Sequence, residues 1–176
     1  MEHKPLVRLK PLDSPELIQT AANWLAQKDN YQWLQFGDGR HILTPQLLKI
    51  LVQKDTHLLR VYTSEDGTPL GIVGLEEVNR NFKTARLWVV AGDRNVRRRG
   101  YATQAVSKML TLAFQELGLH AVSTWIVEHN PSVRVAEHVS FKFIGRQRKC
   151  HWMDGVAYDR LWFDLLASEH KEYPDD

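Results

Sequence analysis

Three consecutive strand-like segments, separated by short turns, constrain the fold of this chain more than any other feature. They span residues 57–63, 70–78 and 84–92, and the turns between them read SEDGTP and NRNFK. Turns of this length and composition join antiparallel neighbours. The region therefore predicts a three-stranded antiparallel meander.

A long helix is predicted shortly after the meander. Apolar residues recur over 100–117 with helical spacing, and Gly118 is suited to end the helix. The apolar positions are Ala102, Ala105, Val106, Met109, Leu112, Ala113 and Leu117. Two further helices are predicted upstream, because Ser14-Pro15 and Thr44-Pro45 each place a capping side chain before a proline.

The remaining segments complete a mixed α/β domain. A strand is expected at 5–12, and an aromatic-rich loop joins the first two helices. Beyond the long helix we expect a strand at 121–129, a short helix at 131–139, and strands at 141–149 and 156–166. The element order β-αα-βββ-α-β-α-ββ implies an α/β fold with a mixed, mostly antiparallel central sheet of about seven strands flanked by helices.

Length and composition limit what this domain can be. A chain of 176 residues suits one domain, with a core at about 5–166 and an acidic tail at 169–176 that we expect to be frayed. The 23 basic and 21 acidic residues give a net charge of +2, far from that of a general nucleic-acid binder. Cys150 is the single cysteine, and no apolar run approaches the ~20 residues of a membrane span. We expect a cytoplasmic protein.

The run RNVRRRGYATQA (94–105) places four arginines within six residues, directly before the long helix. It could bind a nucleic-acid backbone, form a solvated loop, or hold a smaller anion. Its position favours the third possibility, because a helix N-terminus presents unpaired N–H groups and a partial positive charge. Gly100 lets the backbone approach a ligand, and Arg97 adds a fixed positive charge, whereas Arg94 is expected to be merely solvated.

The same run resembles a signature of the GNAT acetyltransferases. RRRGYA (97–102) matches the pattern R/Q-x-x-G-x-G/A, whose backbone amides in that family cradle the pyrophosphate of acetyl-CoA. The stretches LGIVGLEEVNRNFKTARLWVV and NPSVRVAEHVSFKFIG are similar to the strands before the signature and to the segment after it. The resemblance covers about residues 5–166 and is nearest to the branch that includes ribosomal-protein N-terminal acetyltransferases.

The resemblance implies a GNAT fold, acetyl-CoA as cosubstrate and no metal. In that family the strands corresponding to 84–91 and 121–129 splay apart, and the pantetheine arm enters the gap. A backbone N–H near Val90 would then polarise the thioester carbonyl. The implied cofactor-binding residues are Trp88, Val89, Val90, Arg97, Arg98, Arg99, Gly100, Tyr101, Ala102, Thr103, Asn130 and Ser132.

Several positions depart from the family pattern, and two of them bear on catalysis. Arg86 stands where some members carry a glutamate general base, and Ala136 stands where others carry a tyrosine general acid. Candidate bases are therefore Glu77 and Glu128, followed by Glu76 and His129. Strand alternation would put Glu76 and Glu77 on opposite faces, so only one could face the site. Ser132 could donate a proton to the sulfur, and an ordered water could serve in place of a side-chain base.

An acceptor site is expected at the loop between the first two helices, where Tyr31, Trp33 and Phe36 could line a pocket or cap the core. Other residues could contribute from this loop and from the end of the chain. They are Asp29, Asp38, His41, Trp152, Tyr158 and Trp162. Nothing in the sequence identifies the amine, which could belong to a small molecule or to a protein N-terminus.

The sequence thus predicts an acyltransferase that moves an acetyl group from acetyl-CoA to a primary amine by direct attack in a ternary complex. Two alternatives remain open: a catalytically inactive CoA-binding module, and a nucleic-acid-binding protein that uses Arg94–Arg99. The partners would be acetyl-CoA and an amine acceptor, without a membrane, and the protein would be a monomer or a homodimer.

Overall fold

A computed structural model describes residues 6–35, 42–97 and 99–173. Seven strands form one sheet in the order β1-β2-β3-β4-β5-β7-β6. The strands are β1 (Arg8–Pro11), β2 (Leu58–Thr63), β3 (Pro69–Asn79), β4 (Thr84–Ala91), β5 (Ala121–Val127), β6 (Lys142–Met153) and β7 (Val156–Leu166). All neighbours are antiparallel except β4 and β5, which run parallel. The predicted mixed, mostly antiparallel sheet is confirmed.

Five helices flank the sheet within the described ranges. They are α1 (Pro15–Leu25), α2 (Lys28–Tyr31), α3 (Pro45–Leu51), α4 (Tyr101–Thr111) and α5 (Val133–His138). The predicted caps are present, since Ser14 and Thr44 accept hydrogen bonds from Leu17 N–H and Leu47 N–H. The structure adds the one-turn helix α2 where the sequence predicted only a loop. None of these helices is long and apolar enough to cross a membrane.

The sheet separates two apolar cores. One face carries α4 and α5, where Val106, Met109 and Leu110 pack against residues such as Val73 and Leu87. The other face is covered by α1 and α3, whose Leu25 and Leu48 are completely buried against β2, β3 and β4. Because side chains alternate along β4, Val89 contacts the first core while Trp88 and Val90 contact the second.

The segment after β7 packs on the outer side of α4. His170 Nε2 lies 2.8 Å from Thr111 Oγ1, and the Tyr173 N–H donates to Ser107 Oγ at 2.6 Å. The Phe114 and His170 rings are also in contact, with centroids 5.5 Å apart. The expectation of a frayed tail is therefore wrong for residues 169–173 of the predicted tail 169–176, because α4 binds the His170 side chain and the Tyr173 N–H.

Gly71 sits where two strands approach too closely for a side chain. A Cβ there would lie 2.3 Å from Val90 O and 2.4 Å from the Tyr62 ring, whose hydroxyl donates to the same carbonyl. We expect Gly71→Ala to destabilise the fold by about 1–3 kcal/mol, because a backbone atom must move. Gly145→Ala, where no atom lies within 4 Å, is the matched control. Equal melting temperatures for the two variants would contradict this prediction.

Candidate active site

The central feature of the site is an opening between the parallel strands β4 and β5. Their pairing covers only Thr84↔Ala121, Ala85↔Val122 and Arg86↔Ser123, after which the strands diverge. At the point of divergence the buried Thr124 hydroxyl donates to Leu87 O at 2.8 Å. The Thr124 side chain thus takes the place of the next main-chain hydrogen bond between β4 and β5. The predicted splay is present.

The alternation of backbone directions along β4 determines which of its N–H and C=O groups face this opening. Leu87 O points toward β5, where it accepts from Thr124, whereas the Gly92 N–H donates to Leu70 O beside β3. Alternation therefore turns the N–H and C=O of Val89 toward the opening, and those of Val90 toward β3. The predicted edge lies in the expected place, but the outward-facing amide belongs to Val89.

The long helix α4 begins at the same end of the sheet as the opening. Its N-cap is Gly100, with φ of +80°, a left-handed conformation that side-chain-bearing residues rarely adopt. The first intrahelical bond of α4 runs from Gln104 N–H to Gly100 O. The amides of Tyr101, Ala102 and Thr103 precede that bond and have no intrahelical acceptor. This end of α4 is suited to an anion.

The arginine run is anchored to α2. Arg97 donates to Asn30 Oδ1 at 2.7 Å, and Asn30 is itself buried and donates to Trp24 O. Arg94 forms an ion pair with Asp29, which lowers the pKa of that carboxyl through hydrogen bonding and charge. Arg94 is therefore not merely solvated, and Asp29, a predicted acceptor-site residue, instead binds Arg94 of the arginine run. Arg98 lies outside the described residues, while Arg99 is exposed.

Asn130 and Ser132 lie after β5, on the other side of the opening from the arginine run. The Ser132 N–H donates to Asn130 Oδ1 at 3.0 Å, and this turn leads into α5. Since β4 and β5 are parallel, the loops that follow them lie at the same end of the sheet. The structure thus brings Asn130 and Ser132 to the end of the sheet where α4 begins, and their contact with the pantetheine arm stays a prediction.

A cavity of about 350 Å³ lies on the opposite face of the sheet, beside the opening. Its apolar lining includes three indole rings and several leucines, and its polar lining comes from strands and from the segment after α2. The lining residues are Trp33, Leu34, Gln35, Leu43, Leu51, His57, Glu76, Arg86, Leu87, Trp88 and Trp125. Gly74 makes room for Trp88, because a Cβ there would lie 2.8 Å from the indole.

Three polar side chains that line the cavity form a row from the start of β2 across β3 to β4. They are His57, Glu76 and Arg86. Glu76 pairs with Arg86 across β3 and β4, and the β2–β3 register places His57 next to Glu76. Arg86 Nε donates to Glu76 Oε1 at 3.0 Å, and its Nη2 donates to Gln35 Oε1 at 2.8 Å. Burial lowers the pKa of His57. Sequence reasoning missed His57, because only the strand register reveals its position.

Glu77 lies at a bulge that breaks the alternation of β3. Its φ is +52°, and the β3–β4 register shifts between Glu76 and Asn79. Both Glu76 and Glu77 consequently reach Arg86, at 3.0 and 3.3 Å. The expectation that they point to opposite faces is wrong. Glu77 is 67% exposed and does not line the cavity, whereas Glu76 is 20% exposed and does.

Glu128, the other predicted base, is engaged in a separate ion-pair network. Its Oε1 accepts from the Asp159 N–H at 2.9 Å, and its Oε2 accepts from Arg146 at 2.8 Å. These hydrogen bonds lower the pKa of the Glu128 carboxyl, which makes it a weaker proton acceptor. His129 contacts the Tyr158 ring edge-on. This geometry does not favour Glu128 as the base.

A second network links β7 to the loop after α2. The Arg160 guanidinium lies 3.8 Å from the centroid of Trp125 and donates to His151 Nδ1 at 3.2 Å. His151 Nε2 lies 2.6 Å from Gln32 O, so this nitrogen carries the proton and Nδ1 accepts. His151 therefore holds the segment that carries Trp33 against the β6–β7 hairpin.

This network predicts a pH dependence of stability. Burial, followed by the charge of Arg160, lowers the pKa of His151 below its ordinary 6.5. Above about pH 6.5 His151 is mainly neutral in both the folded and the unfolded protein. Below this pH the unfolded chain binds a proton more readily than the folded protein does. The free energy of unfolding therefore decreases until the pH has passed the lowered pKa of the folded state. We expect the melting temperature to fall between pH 7.5 and 5.5, and His151→Gln to flatten that fall. His138→Gln, at an exposed position, should not flatten the fall. An unchanged dependence of the melting temperature on pH in His151→Gln would contradict the prediction.

The other predicted acceptor residues are dispersed. Trp33 lines the cavity, but Tyr31 faces a separate groove with Lys28 and Trp152, between α2 and the β6–β7 turn. Trp152 lies on β6 instead of the predicted loop, and Trp162 is opposite Trp125 and donates to Gln147. Phe36, Asp38 and His41 lie outside the described residues.

The sheet is thus split between two parallel strands, with a helix N-terminus at one side of the opening and a cavity at the other. The chain matches the family model described as "Acetyltransferase (GNAT) domain" over residues 6–142. It belongs to the GNAT acetyltransferase family and is an acyltransferase.

Relatives by sequence come from Bacillus subtilis (strain 168). The chain is 27% identical to YdaF, provisionally named a ribosomal N-acetyltransferase, over 96% of this chain and 93% of that protein. It is 31% identical to YokL, a prophage-derived uncharacterized N-acetyltransferase, over 42% of each chain. Among solved structures, a spermidine N-acetyltransferase from Vibrio cholerae in complex with CoA and spermine has a TM-score of 0.82. That match covers 93% of this chain and 96% of the other at 18% identity, and it shows a shared fold.

Proposed function

We propose that this protein is an acetyl-CoA-dependent N-acetyltransferase that acetylates a primary amine by direct attack within a ternary complex. One observation carries the proposal: the β4–β5 opening has the α4 N-terminus at one side and the 350 Å³ cavity at the other. A donor that crosses the sheet through this opening would present its acyl group to an acceptor in the cavity.

The residues around the opening suit coenzyme A. The free amides of Tyr101, Ala102 and Thr103 and the side chain of Arg97 would hold the diphosphate, because both supply positive charge to an anion. Gly100 leaves room for the diphosphate at the N-cap. The free edge of β4 at Trp88–Val90 would pair with the amide groups of the pantetheine arm, with Asn130 and Ser132 on the far side.

Acetyl-CoA supplies an acetyl group activated as a thioester, which a neutral amine attacks. The Val89 N–H faces the opening and would stabilise the negative charge that develops on the carbonyl oxygen. As the nitrogen–carbon bond forms and the carbon–sulfur bond breaks, the amine loses a proton and the thiolate gains one. Ser132, beyond the end of β5, would supply the proton to the sulfur.

Glu76 would accept the proton from the amine. Among the described carboxylates that the sequence singled out, it alone lines the cavity, and it lies on β3, the strand next to β4. Arg86 orients the Glu76 carboxylate through Oε1, so that the other oxygen can receive the proton directly or through a water. His57, the next member of the row, lies beyond it. We propose Glu76 in preference to the exposed Glu77.

Cofactor binding and turnover test the proposal separately. CoA at about 100 times its dissociation constant should stabilise the fold by about 2.7 kcal/mol, which raises the melting temperature by about 5–10 °C. Release of free thiol from acetyl-CoA, measured with pooled amines and peptides, then detects transfer. The absence of a thermal shift would refute the proposed function. A shift without transfer to any amine would identify a CoA-binding module instead of an enzyme.

A further inference from the structure

Two of the described arginines, Arg86 and Arg160, lie on the cavity side of the sheet. Arg86 lines the cavity, whereas Arg160 lies beside it on the ring of Trp125, and only Arg86 has carboxylate partners. Arg86 is bound by Glu76, Glu77 and Gln35. In the described part of the chain, no carboxylate forms an ion pair with Arg160. The guanidinium of Arg160 instead contacts the Trp125 ring and the neutral Nδ1 of His151. These groups stabilise a cation without neutralising it, which leaves Arg160 suited to an anionic ligand.

Arg160 lies close to the point where the acceptor must react. It is opposite Val127 in the β5–β7 register, and its guanidinium stacks over Trp125 of β5, which lines the cavity. The other edge of β5 borders the opening, and adjacent strands are only about 4.8 Å apart. An acceptor with its nitrogen at the opening and an anionic group on Arg160 would need only a few ångströms between the two. The amine and carboxylate of an α-amino acid are separated by such a distance.

The lining of the cavity suits an apolar body. Trp33, Trp88 and Trp125 supply three indole surfaces, and Leu34, Leu43 and Leu51 add aliphatic contacts. Among the described lining residues Glu76 is the single carboxylate, and it is bound by Arg86. A polyamine, which carries several positive charges, would find only this one carboxylate among them. The volume of about 350 Å³ is at the small end for ligand sites, which favours a single compact molecule.

We propose that the acceptor is an α-amino acid with a bulky apolar side chain. Its carboxylate binds Arg160, its side chain packs among the three tryptophans, and its amine faces the β4–β5 opening. This inference rests on the proposed acetyltransferase function and specifies the substrate class of the same site. Arg160 acts in it as a specificity-determining residue, while His151 holds the guanidinium in place through Nδ1.

Matched pairs of acceptors with and without the carboxylate test the proposal. Acetylation of phenylalanine and phenethylamine, and of tryptophan and tryptamine, is measured with the wild-type protein, with spermidine as a third type of amine. We expect the wild type to favour each amino acid over its decarboxylated partner by about 10–100-fold in kcat/KM, the range for a hydrogen bond to a charged group. Spermidine should be the poorest acceptor.

Substitution of Arg160 should remove this preference. Arg160→Gln is expected to lower kcat/KM for phenylalanine about 10–100-fold, mainly through KM, and to leave phenethylamine within about 3-fold. Arg160→Lys, which keeps the charge, should retain part of the preference. Arg148→Gln, at an exposed position of β6, is the matched control and should behave as the wild type.

The outcomes separate this inference from the proposed function. Equal use of phenylalanine and phenethylamine by the wild type would overturn the amino-acid assignment, and this measurement needs no variant. An unchanged ratio in a folded Arg160→Gln protein would overturn the role of Arg160. Better turnover of spermidine than of either amino acid would also overturn the proposal. In each case a normal thermal shift with CoA, together with transfer to any of the amines, leaves the acetyltransferase function standing, whereas loss of that shift in the wild type refutes the function itself.

Discussion

Gly100→Glu is expected to abolish the thermal shift produced by CoA and to reduce kcat/KM for acetyl transfer by about 100-fold or more. Two physical effects combine at this position. The φ of +80° excludes a side chain at a cost of about 1–2 kcal/mol, and the new carboxylate would occupy the end of α4 where the diphosphate is proposed to bind. Repulsion between these like charges should prevent cofactor binding even in a folded protein.

Gly118→Glu is a closely matched control for that experiment. Gly118 also has a positive φ, of +64°, but it lies beyond the opposite end of the helical segment, where a Cβ would have no atom within 4 Å. This variant introduces the same charge and a similar backbone strain. It should melt at a lower temperature but keep the full CoA-induced shift. If both Gly100→Glu and Gly118→Glu lost the CoA-induced thermal shift, general destabilisation of the fold would explain the result.

Glu76→Gln is expected to lower kcat by about 100- to 10,000-fold, the range that general acid–base catalysis typically contributes. The side chain keeps its size, and Arg86 retains Glu77 and Gln35 as partners, so the cavity should keep its shape. The CoA-induced thermal shift should be unchanged, since Glu76 lies on the acceptor side of the sheet. Steady-state kinetics with saturating acetyl-CoA would measure the effect on kcat apart from KM.

The neighbouring residue provides the control for this prediction. Glu77→Gln removes the same charge from the same arginine, but Glu77 is 67% exposed and lies outside the cavity lining. We expect its kcat to remain within about 3-fold of the wild type. The reverse result, with activity lost in Glu77→Gln and retained in Glu76→Gln, would transfer the role of base to Glu77.

The features that sequence reasoning predicted correctly are those that depend on neighbours along the chain. Ser14 and Thr44 cap helices because their side chains reach amides three residues away. The sequence RRRGYA contains both the glycine with positive φ and the helix start, so the N-terminus of α4 was visible in a single motif. The meander likewise followed from its short turns.

The features that sequence reasoning missed depend on contacts between distant segments. The expectation that Glu76 and Glu77 point to opposite faces failed because a one-residue bulge reverses the alternation of β3, and no residue type in LEEVN signals it. His57 joins Glu76 only through the β2–β3 register. Arg160 stacks on Trp125 from a strand that lies far along the chain.

By itself, the sequence determined the order of strands and helices, the family, and the place where the cofactor diphosphate is proposed to bind, because local hydrogen bonding and backbone conformation specify each of them. Tertiary structure decided which carboxylate lines the cavity, which of the two arginines beside the cavity has carboxylate partners, and which indoles line it. Those properties depend on strand register and on charge pairing across the sheet, which arise only when residues far apart in the chain are packed together.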